Sequence, residues 1–65
     1  MAVDQRSVDG LKENLEKAED LTQALAYAGG FFSVCWTEEG VFQSELALAG
    51  VMTLQEWLRA HKEML

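Results

Sequence analysis

Hydrophobic positions along this chain change period twice. Val8, Leu11, Leu15, Ala18, Thr22 and Leu25 recur at spacings of three and four, and Leu21, Ala24 and Ala28 widen the stripe. That period predicts an amphipathic helix over about residues 8–28. Asp4, Ser7 and Asp9 are each competent to cap its start, with Met1 to Val3 a loose lead-in. Gly29-Gly30 is expected to end it, one glycine taking the left-handed C-terminal position. From Phe31 to Leu48 the period falls to two. If Glu38-Glu39-Gly40 forms a three-residue loop with Gly40 left-handed, Thr37 opposes Val41, Trp36 opposes Phe42, Val34 opposes Ser44 and Phe32 opposes Leu46. Strands at about 31–37 and 41–48 follow. Their apolar face is Phe32, Val34, Trp36, Phe42 and Leu46, while Phe31, Cys35, Thr37, Val41 and Glu45 fall on the other. A slip of one residue would turn every apolar side chain to the wrong side.

Helical spacing returns near Thr53. Thr53-Leu54-Gln55-Glu56 matches a capping box, and Met52 and Trp57 are spaced for a hydrophobic staple. Leu54, Trp57, Leu58, His61 and Leu65 share one face of a second helix over about 54–64, with Arg59 and Lys62 near its negative end. A two-stranded ribbon must cover its apolar face. The expected fold is therefore α+β, a single two-layer helix–β-hairpin–helix domain with both helices packed on one face of an antiparallel ribbon. Open ribbon edges would allow a homodimer through edge pairing.

Composition narrows the chemistry. A core of 65 residues rarely supplies more than about 3–5 kcal/mol of net stability. Cys35 is the only cysteine and His61 the only histidine, so an intrachain disulfide and a zinc cluster are both excluded. A lone cysteine suits a reducing compartment, and neither a signal-peptide pattern nor a long apolar run is present. The expectation is a cytoplasmic protein without cofactor or metal. The ribbon register places Cys35 and His61 on different sides, against a nucleophile–base pair, and no other catalytic motif is visible. A non-enzymatic protein is expected.

Charge changes the picture most. The net charge is −6, and no lysine or arginine occurs between Ala18 and Leu58, where Glu19, Asp20, Glu38, Glu39, Glu45 and Glu56 all lie. Such a surface repels nucleic acid and membranes and attracts basic proteins. On a continuous first helix Asp9, Glu13, Glu16 and Asp20 would form a row about 16 Å long opposite the leucines. The row reads either as a solvated helix face or as an anionic ridge that imitates phosphates. With Glu38, Glu39 and Glu45 it makes the candidate partner-binding surface.

In size, acidity and small α+β character the chain resembles phage-encoded inhibitors of the anti-CRISPR type. That resemblance implies DNA mimicry in the host cytosol, against a basic nucleic-acid-binding protein such as a CRISPR surveillance complex. The run Phe32-Ser33-Val34, Glu39-Gly40-Val41-Phe42, Gly50 and Thr53-Leu54-Gln55-Glu56 is also similar in outline to the hairpin-then-helix core of HicB-type antitoxins. That similarity implies a regulatory module acting through the hairpin. A small dimeric structural subunit is the third reading.

Overall fold

A computed structural model describes residues 4–64. Among them there are three α-helices and no strand: α1 (Gln5–Lys17), α2 (Leu21–Val34) and α3 (Ser44–Ala60), followed by a 3-10 turn at Lys62–Met64. The α+β expectation is overturned. Met1 to Val3, expected to be loose, and Leu65, expected on the last apolar stripe, lie outside the described residues.

The first correction is that one expected helix is two. Asp4 caps α1, its carboxylate accepting from the Arg6 N–H at 3.1 Å and the Ser7 hydroxyl at 3.3 Å. Val8, Leu11 and Leu15 form the buried stripe. The helix stops at Lys17, because Asp20 and Gln23 start a new one. The Asp20 carboxylate accepts from the Gln23 N–H, and the Gln23 side-chain carbonyl accepts from the Glu19 N–H, both at 2.9 Å. Asp20-Leu21-Thr22-Gln23 thus closes a reciprocal cap of the capping-box kind, while the expected box at Thr53 stays open. Thr53 lies inside α3, buried, with its hydroxyl donating to the Ala49 carbonyl at 2.8 Å. The expected staple fails with it, since Met52 is exposed and Trp57 buried.

The second correction concerns Phe31 to Val34, which finish α2 as helix rather than open a strand. Ala24, Ala28, Phe31 and Cys35 recur every three or four residues and all are buried. A period of 3.6 brings Phe31 and Cys35 to one face, whereas a period of two groups Phe32, Val34 and Trp36. The expected faces hold for Leu46, buried, Phe32, half-buried against the core, and Val41, exposed, and are reversed for the rest of the aromatic and branched set. Cys35 is 0% exposed and Phe31 is buried, while Val34, Trp36 and Phe42 are exposed. Gly29 and Gly30 do not end the helix. Both are exposed within it, at a cost to the helix interior of about 1 kcal/mol each relative to Ala.

The predicted loop register survives at small scale. Trp36 and Phe42 form one antiparallel bridge, the Thr37 N–H donates to the Val41 carbonyl at 3.0 Å, and Gly40 takes φ +78°. Beyond this bridge the chain is helical on both sides. Neither a ribbon to carry the layers nor a strand-length edge to pair with a second copy is present among the described residues.

All three helices contact one another. Trp57 donates its indole N–H to the Leu15 carbonyl at 2.9 Å, which places the C-terminal ends of α1 and α3 together. Gly50 lies against the Phe31 ring so closely that a Cβ there would overlap it. The chain therefore runs up, down and up around Leu11, Leu15, Ala24, Phe31, Leu46 and Trp57. The bundle is elongated, 39 × 18 × 16 Å, with the Trp36–Phe42 turn at the end where α2 gives way to α3.

Candidate protein-binding surface

The seven acids expected to meet a partner are all exposed, but they do not form one ridge. Asp9, Glu13 and Glu16 keep their three- and four-residue spacing on the outward side of α1. Asp20 is taken from the row by the break at Ala18 and by its duty as the cap of α2. Glu38 and Glu39 occupy the turn after α2, and Glu45 the first turn of α3, where a carboxylate complements the positive end of the helix dipole. The carboxylate contacts within the row are to neutral donors: the Gln5 side-chain amide on Asp9 at 3.0 Å and the Gln23 backbone on Asp20.

Sequence reasoning missed the apolar half of this surface. Trp36 is 59% exposed and Phe42 45%, their ring centroids 5.0 Å apart. Val41 is exposed in the same turn, and Val34 is exposed at the groove between α1 and α2. The hydrogen bonds across the turn fix this pair. The Gln43 N–H donates to the Cys35 carbonyl at 2.8 Å, and the Val41 N–H to the Thr37 hydroxyl at 3.0 Å. The Glu-Glu-Gly loop was the available signal for the Trp36–Phe42 pairing. Nothing in the local pattern marked the pair as uncovered.

Other candidate chemistry is placed as follows. Burial pushes the Cys35 thiol above its ordinary value, and its Sγ lies 3.8 Å from the Phe31 carbonyl. His61 stacks on Trp57 with centroids 4.2 Å apart, its Nδ1 2.8 Å from the Trp57 carbonyl. Cys35 adjoins the start of α3 and His61 its end, a separation of about 25 Å along the helix axis. An open groove of about 320 Å³ lies between α1 and α2, lined by Ser7, Leu11, Asn14, Tyr27, Gly30 and Val34 among others. Among the described residues no cluster of three or more His, Cys, Asp or Glu could hold a metal ion. None of the described helices is long and apolar enough to cross a membrane.

Comparison with protein-family models, curated proteins and solved structures finds no match for this chain.

Proposed function

We propose that this chain is a non-enzymatic binding protein that occupies a basic, nucleic-acid-binding surface of a partner protein. The observation that carries this reading is the charge distribution. Every carboxylate from Glu19 to Glu56 is exposed, and no cation lies between Ala18 and Leu58. Arg6, Lys12 and Lys17 stay on α1, and Arg59 and Lys62 at the far end of the chain. A field of one sign steers association with basic surfaces and repels both nucleic acid and anionic membranes. Asp9, Glu13 and Glu16, on the helix that also carries Arg6, Lys12 and Lys17, supply the phosphate-like spacing at three positions over two helical turns. An inhibitor of the anti-CRISPR type is the specific form of this proposal.

The test is competition with target DNA for a CRISPR surveillance complex across a salt series. Displacement that weakens with salt and is lost when Asp9, Glu13 and Glu16 are reversed together to lysine is the expected result. Displacement indifferent to that reversal would end the mimicry reading. The hairpin-based antitoxin reading receives no comparable support, since the strands that suggested it are the end of α2, the connecting turn and the start of α3.

A further inference from the structure

We infer that the Trp36–Phe42 turn is the anchor of the interface, and that its occupant is an amphipathic segment of a partner protein carrying apolar residues flanked by lysine or arginine. The inference rests on the reading above that the partner is basic, and adds where and how it is gripped. Two independent features meet at this turn. One is apolar area held in a fixed geometry: Trp36 and Phe42 touch across an antiparallel bridge, roughly half of each exposed. Aromatic side chains present about 150–250 Å² each, so the pair alone leaves on the order of 200 Å² open to solvent. Rigid, uncovered aromatics are the side chains around which binding energy concentrates.

The second feature is the sign of the rim. Glu38 and Glu39 sit in the loop that joins Trp36 to Phe42, and Glu45 follows three residues later, all exposed. A lipid surface or a nucleic acid would bring phosphates against these carboxylates, and a second copy would bring the same carboxylates against themselves. Area also speaks against the second copy. Obligate dimers bury upward of about 2,000 Å² in total, far more than this turn offers. A segment with aliphatic side chains for the aromatic pair and cations for the rim satisfies both features at once.

The test uses the full chain and a fluorescein-labelled amphipathic helix of leucine and lysine, with a leucine–glutamate helix of the same pattern as control, followed by anisotropy. The lysine peptide should bind and the glutamate peptide should not. Trp36→Ala and Phe42→Ala should each weaken binding at least about tenfold while leaving helix content and the urea midpoint close to wild type. Glu38→Lys with Glu39→Lys should weaken it and flatten its salt dependence. Equal binding by Trp36→Ala, or no binding of the lysine peptide, would overturn the assignment. So would a dimer seen by sedimentation that Trp36→Ala dissociates, because the occupant would then be a second copy. Loss of binding on reversal of Asp9, Glu13 and Glu16, with Trp36→Ala unaffected, would move the contact to α1. That outcome removes the anchor but leaves the acidic-surface reading standing, which the DNA competition tests separately.

Discussion

Trp57 is 7% exposed, packed between α3 and the end of α1, and its indole N–H reaches the Leu15 carbonyl. Trp36, in the turn between α2 and α3, is 59% exposed and meets Phe42. The same side chain serves cohesion at one end of the bundle and display at the other. What separates the two is the backbone around them. Because α1 stops at Lys17, the Glu19 N–H turns to Gln23, and the Leu15 carbonyl accepts from both the Ala18 N–H and the Trp57 indole. Around Trp36 the backbone is satisfied within the turn itself. The aromatic rings are left with nothing above them, and cohesion there does not depend on covering them.

The sharpest way to break the comparison is to remove each tryptophan. Trp57→Ala should lose about 3–5 kcal/mol, comparable to all the stability a core of this size holds, and leave the chain largely unfolded by circular dichroism. Trp57→Phe should keep most of the packing and lose one of the two donors on the Leu15 carbonyl, which still accepts from the Ala18 N–H, costing about 0.5–1.5 kcal/mol in urea unfolding.

Glycines draw the same contrast between covered and uncovered positions. Gly50→Ala forces a Cβ onto the Phe31 ring. An overpacking cost of about 1–3 kcal/mol exceeds the roughly 1 kcal/mol that alanine returns to a helix, so the urea midpoint should fall. Gly29→Ala meets nothing within 4 Å and should raise the midpoint by the equivalent of about 0.5–1 kcal/mol. Identical substitutions of opposite sign would locate the covered face directly.

Cys35 adds a pH arm. Its folded thiol titrates above the ordinary 9.0 because burial disfavours the thiolate. Between the unfolded and folded values the native state holds the extra proton, so this contribution is present below pH about 9 and is lost as pH rises through the folded value. Urea midpoints should decline on the alkaline side, and Cys35→Ala should abolish that part of the decline. Alkylation of the native thiol by iodoacetamide should be slow at neutral pH and accelerate on unfolding. The smallest effect on stability belongs to Trp36→Ala, within about 0.5 kcal/mol for a side chain this exposed. A large loss there would mean that the turn is part of the core, and the comparison would collapse.

Much of the local order was written in residue spacing. The stripe Val8, Leu11, Leu15 specified α1, and Glu38-Glu39-Gly40 specified the turn register down to the Trp36–Phe42 pair. The break at Ala18 was also legible, in Asp20-Leu21-Thr22-Gln23, but it competed with an uninterrupted apolar period and with a rival cap signal at Thr53. Phe31 to Cys35 fits both a strand and a helix, since five residues rich in aromatic and branched side chains satisfy either period. The candidate acids were visible as residues, while their separation into an α1 face, an α2 cap and a turn was not.

By itself, the sequence determined the acidity, the absence of cations from the middle of the chain, the apolar stripe of α1 and the geometry of one turn, because each depends on neighbours a few positions away. Tertiary structure alone decided that Phe31 and Cys35 go inward while Trp36 and Phe42 stay out. That choice depends on contacts between Phe31 and Gly50 and between Trp57 and Leu15. Such contacts join residues far apart in the chain, and burial is settled by what packs on a side chain, not by the pattern it sits in.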